Sequence, residues 1–119
     1  MTSTADLPRA IAAYQQRPNE VLLAMLWEYY HDTVTIAVHR YDPTGAIRRA
    51  YPGVWRALMI KFFDNAMQTF TGSTKLEVWI FSEMRRMGRA IAKIKRLEQH
   101  LERPPTEQEV REDLLVVQP

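Results

Sequence analysis

The chain has 119 residues, no cysteine and a formal net charge of +2. A chain of this length is expected to form one domain that buries about two-thirds of its surface. The lack of cysteine excludes disulfides and thiolate metal sites, and the lack of a signal peptide or a membrane-length apolar run predicts a cytoplasmic protein.

The first part of the chain predicts helices separated by turns. Residues 1–18 are mostly small and polar, which predicts a short helix or a flexible segment. Asn19 is a candidate N-cap for a helix over about residues 20–40, where apolar side chains recur at helical spacing. Residues 42–45 contain proline and glycine and therefore predict a loop.

A further helix is predicted over residues 52–68. Pro52 suits the first position of a helix, and apolar side chains again recur at helical spacing behind it. Residues 46–51 predict no more than one helical turn, because the residue before a proline avoids the helical region.

Residues 70–101 predict the longest helix of the chain. Ser73 is a candidate N-cap for a helix that starts at Thr74. Apolar side chains then form a stripe along one face of this helix: Leu76, Ile80, Met84, Met87, Ile91, Ile94, Leu97 and Leu101.

A short helix is predicted after the long one. Residues 103–105 hold a Pro-Pro break, and Thr106 with Glu109 forms a capping box that starts a helix through Leu114. The apolar residues 114–117 predict a docking or dimer surface, or a segment that folds back onto the bundle. The predicted fold class is therefore all-α.

The charges are distributed unevenly along the chain. Six basic side chains and no acid lie between Arg85 and Arg96. On a helical wheel Arg85, Arg89 and Arg96 fall opposite the apolar stripe, with Lys93 beside them, whereas the C-terminal stretch is acidic. This pattern indicates a polyanionic partner, but a solvated face or intramolecular charge balance would produce it too.

No catalytic pattern is present in the sequence. The three histidines lie in separate segments, and none has a carboxylate at metal-ligand spacing. A glycine-rich phosphate loop, a nucleophile elbow and a His-Glu-x-x-His motif are all missing. Glu28 and Asp32 share one helix face, but an isolated acid pair of this kind is usually solvated. We expect no enzyme activity, no metal and no cofactor.

A more specific pattern spans the turn into the long helix. Residues 70–85 read Phe-x-Gly-x-x-x-Leu-x-x-Trp-Ile-Phe-x-x-x-Arg. This motif resembles the Phe-x-Gly-x-x-x-Phe-x-x-Trp-Leu-Tyr-x-x-x-Arg signature of region 2 in bacterial sigma-70 family RNA polymerase sigma factors. It is most similar to that of the small alternative sigma factors.

Flanking segments extend the resemblance over about residues 20–115. Residues 26–37 look like the opening helix of region 2, which typically reads Leu-Tyr-x-x-Tyr-x-x-x-Val-x-x-x-Ala, and residues 54–64 are similar to the helix that follows it. Residues 97–110 resemble the start of region 3, with the pattern Leu-Glu-x-x-Leu-Gly-Arg-x-Pro-Thr-x-x-Glu-Ile. The order and spacing of these matches carry the resemblance.

The resemblance implies a small helical bundle like sigma factor domain 2 over residues 19–102, with a region 3-like helix and tail over 103–119. It implies a transcription initiation factor, or part of a split sigma factor, that binds the clamp helices of RNA polymerase and promoter DNA. The implied DNA-binding residues are Trp79, Phe81, Arg85, Arg86, Arg89, Lys93 and Arg96. The implied partner-binding residues are Glu28, Asp32, Trp55 and Arg56.

The implied roles differ in their physical basis. Trp79 and Phe81 occupy positions where the family places aromatic rings against the melted strand, and aromatic stacking on unpaired bases is favourable. The cations would contact phosphates, which supplies salt-dependent affinity and little sequence information. Trp79 lies at the border of the apolar stripe, so exposure and core packing stay equally open for it.

Departures from the family pattern leave a second interpretation open. The family's acidic polymerase-binding patch, usually Asp-Leu-x-Gln-Glu, should fall near residues 50–55, which contain no acid. No region 4 follows in the sequence, which predicts a truncated or repurposed sigma factor or one half of a two-polypeptide factor. The alternatives are an interaction module that modulates RNA polymerase or another sigma factor without binding DNA, and a structural or oligomerising helical protein.

Overall fold

A computed structural model describes residues 6–116, with side chains as far as Leu114, and that part of the chain contains helices and no β-strand. The helices are α1 (Leu7–Gln16), α2 (Glu20–His39), α3 (Ala46–Ala50), α4 (Pro52–Thr69), α5 (Leu76–Glu83), α6 (Arg85–Leu101) and α7 (Glu107–Val116). The all-helical prediction is confirmed. No helix within these residues combines the length and the apolarity that a membrane span needs.

The central helix of the bundle is α4, which packs against each of the other described helices. Its side chains Phe63, Ala66 and Met67 are at most 1% exposed. The predicted apolar stripe is buried in the same core from Leu76 to Ile94. Burying one large apolar side chain contributes about 1.5–3 kcal/mol, so this shared core holds the helices together.

Side chains fasten α1 to the C-terminal end of α4. The amide nitrogen of Gln15 donates to the carbonyl oxygens of Met67, at 3.0 Å, and Phe70, at 2.7 Å. The hydroxyl of Tyr14 donates to the carboxylate of Asp64. Burial, and then this hydrogen bond, raises the pKa of Tyr14 above its ordinary range. The phenol therefore stays a donor at any physiological pH.

Local side-chain caps start both α2 and α3. Asn19 accepts a hydrogen bond from the N–H of Leu22 at 2.9 Å, which confirms it as the N-cap of α2. The buried carboxylate of Asp42 accepts from the N–H groups of Ile47, at 3.1 Å, and Arg48, at 3.2 Å. These bonds satisfy the first N–H groups of α3, which have no partner within the helix.

The prediction of one continuous helix over residues 74–101 is wrong, because the chain is interrupted at Met84. The helix α5 ends at Glu83, and α6 begins at Arg85. Next to the interruption the N–H of Met87 donates to the carbonyl of Met84 at 3.0 Å, a three-residue span that is tighter than an α-helical turn. Met84 and Met87 are both fully buried, so the interruption keeps the apolar stripe in the core.

The predicted start of this helix is also wrong. The helix α5 begins at Leu76 after Lys75, and no side chain caps it. The hydroxyl of Ser73 instead forms a hydrogen bond with that of Thr71, at 3.0 Å, within the turn that precedes the helix. Gly72 in this turn has a φ of 83°, a left-handed conformation that a glycine adopts without strain.

Gly88 lets α6 approach Tyr41, which follows α2. A Cβ atom on Gly88 would lie 2.6 Å from Cε1 of the tyrosine ring. We expect Gly88→Ala to lower the free energy of unfolding, measured by urea denaturation, by about 1–2 kcal/mol, because the clash exceeds the gain of about 1 kcal/mol in helix propensity.

The control for this prediction is the same change made beside a smaller neighbour. In a Tyr41→Leu background, Gly88→Ala should become neutral or stabilising, because only the propensity gain remains. An equal loss in free energy of unfolding in both backgrounds would contradict the close approach of Gly88 to the Tyr41 ring.

The predicted capping box at the start of α7 is confirmed. The N–H of Glu109 donates to Oγ1 of Thr106 at 3.2 Å, and the N–H of Thr106 donates to Oε1 of Glu109 at 3.0 Å. Arg103 adds two hydrogen bonds to the same carboxylate, at 2.9 and 2.8 Å. The carboxylate of Glu109 therefore accepts three hydrogen bonds from two residues, Thr106 and Arg103, and these bonds order the segment after the Pro-Pro break.

The hydrogen bond from Arg103, and then that from the backbone of Thr106, lowers the pKa of Glu109 to about 2. Because the pKa is lower in the folded state, the carboxylate stabilises the fold above its ordinary pKa, and this contribution is lost as the pH falls towards 2. We expect Glu109→Gln to lower the melting temperature at pH 7 but not at pH 2, in thermal unfolding followed by circular dichroism. The exposed Glu102→Gln, at a carboxylate outside the capping box, is the control and should lower the melting temperature at pH 7 by less than Glu109→Gln does.

Candidate nucleic-acid interface

Three hydrogen bonds fix how α5 and α6 lie against α4. In order along α5 and α6 these bonds join Trp79 to Ala66 at 3.0 Å, Glu83 to Asn65 at 3.1 Å, and Glu98 to Tyr51 at 3.0 Å. From Glu83 to Glu98 the partners run backwards from Asn65 to Tyr51, so α6 lies antiparallel to α4 along one flank of the bundle. Burial, and then the bond to Glu98, raises the pKa of Tyr51 to about 12, so its hydroxyl remains a donor.

A row of cations on α6 occupies this flank. We call it the cationic row, and it comprises Arg85, Arg86, Arg89, Lys93 and Arg96. The four arginines are exposed, and Lys93 is half-buried. Arg86 forms an ion pair with Glu83 at 3.4 Å. The outer side of α6 therefore presents positive charge over about three helical turns.

Two crevices connect the cationic row to its neighbours. One, of about 360 Å³, lies between α4, α6 and α7 and is lined by Lys61, Phe62, Arg86, Arg89, Ala90, Lys93 and Leu114. The other, of about 370 Å³, is lined by Lys93, Arg96, Leu97, His100 and Asp113. The first crevice gathers cations from two helices, Lys61 on α4 and Arg86, Arg89 and Lys93 on α6.

Trp79 and Phe81 are both half-buried, but they lie on nearly opposite sides of α5, because residues two apart on a helix are rotated by about 200°. The indole N–H of Trp79 donates to the carbonyl of Ala66, so the polar edge of the ring points into the bundle. The guanidinium of Arg40 lies over the ring of Phe81, 5.8 Å from its centroid. Trp79 thus combines the core packing and the partial exposure that the sequence left open, and a base that stacks on Phe81 would compete with Arg40.

A separate apolar groove lies between α2 and α4. It has a volume of about 730 Å³ and is lined by Glu20, Leu23, Ala24, Trp27, Arg48, Pro52, Trp55, Arg56, Met59, Ile60 and Phe63. Trp27 packs edge-on against Phe63, with 5.2 Å between ring centroids. Ile60 is 52% exposed at the open side. An aromatic floor with an exposed aliphatic wall suits an apolar partner surface.

Only two of the four predicted partner-binding residues belong to this groove. Trp55 and Arg56 line it, whereas Glu28 and Asp32 do not. Both acids are exposed on α2, and Asp32 lies 3.2 Å from Nε2 of His31. Among the described residues no group of three His, Cys, Asp or Glu side chains could hold a metal ion.

Several residues of the apolar groove and of the cationic flank were not predicted from the sequence as functional residues. Met59 and Phe63 were expected only as part of the apolar repeat of α4, and the sequence assigned no role to Leu23. Lys61 was not connected with the cations of α6. One signal was available in advance, since Trp55, Met59 and Ile60 widen the apolar face of α4 beyond the stripe that a single core contact needs.

Comparison with models of known protein families, with curated proteins and with solved structures finds no match to this chain. The function is therefore argued from the two surfaces described above.

Proposed function

We propose that this protein is a sigma-like transcription factor that binds single-stranded promoter DNA along α6. The observation that supports this proposal is the flank on which a half-buried tryptophan, Trp79, is followed by the exposed cationic row. Cations that track a backbone, next to an aromatic ring that can stack on bases, are the usual components of a single-strand site.

The charge pattern of α6 favours nucleic acid over a small anion. A row along one helix can contact successive phosphates of one strand, whereas a small anion would need cations that converge on one point. The crevice beside Lys61 adds a place where one phosphate can be held from two helices. The resemblance to sigma region 2 implies contact with melted DNA on this part of the chain, which is the same helix that the charge pattern favours.

The test is the salt dependence of binding to a fluorescent single-stranded oligonucleotide, followed by anisotropy. Five phosphate contacts predict a slope of about −3.5 for the logarithm of the affinity against the logarithm of the salt concentration. Affinity for a duplex of the same sequence should be weaker, because paired bases cannot stack on Trp79. Absence of binding at low salt would contradict the proposal.

A second function is favoured by the apolar groove: a protein-interaction module that acts on RNA polymerase or on another sigma polypeptide without binding DNA. The lining of the groove extends along α4 from Pro52 to Phe63, about three helical turns, which suits a short amphipathic helix. Arg48 and Arg56 on its lining favour a helix whose apolar stripe is flanked by acids.

The groove is tested by capture of purified bacterial RNA polymerase in the absence of DNA. Ile60→Glu places a charge inside the groove and should abolish capture. Ile36→Glu is the matched control, because Ile36 is 64% exposed on α2 but does not line the groove. Equal capture by both variants, or no capture by the unaltered protein, would contradict this second function.

A further inference from the structure

The helix α7 is held against the flank that carries the cationic row. At its start the carboxylate of Glu107 accepts hydrogen bonds from the N–H groups of Gly53, at 2.7 Å, and Val54, at 3.3 Å. These are the first N–H groups of α4, so α7 supplies the cap that α4 lacks in its own sequence. Val110 of α7 is fully buried, and Leu114 is nearly so.

The far end of α7 reaches the cations of α6. Leu114 forms part of the wall of the crevice that contains Arg89 and Lys93. Asp113 lines the neighbouring crevice together with Lys93 and Arg96. Within the described residues no ion pair of 4.0 Å or less joins Asp113 to either cation, so its carboxylate acts on them through space.

The acids of α7 point in different directions. Successive residues of a helix are rotated by about 100°, so Asp113 and Glu112 cannot share a face. Asp113 is half-buried towards α6, whereas Glu112 is exposed and accepts a hydrogen bond from Gln108 at 3.1 Å. Of these two adjacent acids, only Asp113 lies beside the cationic row.

We propose that α7 is an internal competitor of nucleic acid for the cationic row. Asp113 supplies a negative charge where a phosphate would otherwise lie, and Leu114 narrows the crevice from the side. The affinity of the protein for a polyanion is therefore lower than its cations alone would give, and a partner that withdraws α7 raises it. This inference rests on the proposed nucleic-acid site and adds its regulation.

The test compares two charge reversals, Asp113→Lys and Glu112→Lys, which change the net charge equally. At about 0.1 M salt the screening length is about 10 Å, close to the diameter of a helix, so only Asp113 should act strongly on the cations. We expect Asp113→Lys to bind single-stranded DNA about three- to tenfold more tightly, and Glu112→Lys less than twofold more tightly. Circular dichroism checks that both variants fold, and Asp113→Asn, which preserves size, should give a smaller gain in the same direction.

Heparin chromatography of the same variants separates the two proposals. If the protein binds no DNA, the proposed function fails, but elution from this sulfated polyanion still reports on α7. A higher elution salt for Asp113→Lys than for Glu112→Lys supports the internal competitor. Equal elution of the two variants overturns it, whatever the result with DNA.

Discussion

Replacing both Arg85 and Arg89 with alanine is expected to weaken the binding of single-stranded DNA by about thirtyfold at low salt. Each guanidinium lies exposed on the outer side of α6 and is available to a phosphate. A loss of about 1 kcal/mol for each of the two contacts adds to about 2 kcal/mol, which corresponds to this factor in affinity. The salt slope should fall from about −3.5 to about −2, because two fewer counterions are displaced. Fluorescence anisotropy over a series of salt concentrations measures both quantities.

The control for this prediction removes two cations from elsewhere on the surface. Arg9 on α1 is exposed, and exposed Lys95 lies on the side of α6 away from the cationic row. The double variant Arg9→Ala and Lys95→Ala changes the net charge by the same amount and should bind within about twofold of the unaltered protein. Similar losses in both double variants would mean that net charge, and not the row, determines affinity.

Replacing Phe63 with alanine is expected to lower the free energy of unfolding by about 3–5 kcal/mol. Phe63 is 1% exposed, lies on the central helix and supports Trp27 at the floor of the apolar groove. A domain of this size is stable by about 5–15 kcal/mol in total, so the variant should be partly unfolded in mild denaturant. Urea denaturation followed by circular dichroism measures the loss.

Phe81→Ala is the matched control for this second prediction, since the same ring is removed from a half-buried position on α5. Its loss should be smaller, about 1–2 kcal/mol, because less packed surface is given up. If both substitutions lower the free energy of unfolding by the same amount, α4 does not form the centre of the core.

The parts of the fold that depend on residues close together in the sequence were predictable. Asn19 and the capping box of Thr106 act within one helical turn, and both form as expected. The apolar stripe from Leu76 to Ile94 is buried for the same reason, because helical spacing alone determines which side chains share a face.

The interruption at Met84 was not predictable in this way. Spacings of three and four residues continue through Met84 and Met87, so the pattern is the same for one helix and for two joined by a tight turn. No proline marks the break, and its position depends on how α5 and α6 each pack against α4. Tertiary packing, not local preference, determines it.

The apolar groove was missed for a related reason. Trp27, Trp55 and Met59 have the spacing of ordinary core residues, and a sequence does not reveal that no helix of the described chain covers the side where Ile60 is exposed. The positions of the cations on α6 were easier to predict, because basic residues opposite a buried apolar stripe have to face outward.

The most direct test of the central claim is an NMR titration of the ¹⁵N-labelled protein with a single-stranded oligonucleotide at low salt. The account predicts that the largest chemical-shift changes occur at the backbone amides of residues 85–96 in α6, while the amides of Leu23 and Met59 in the groove stay unchanged. Changes confined to the groove, or no changes at any residue, would contradict it.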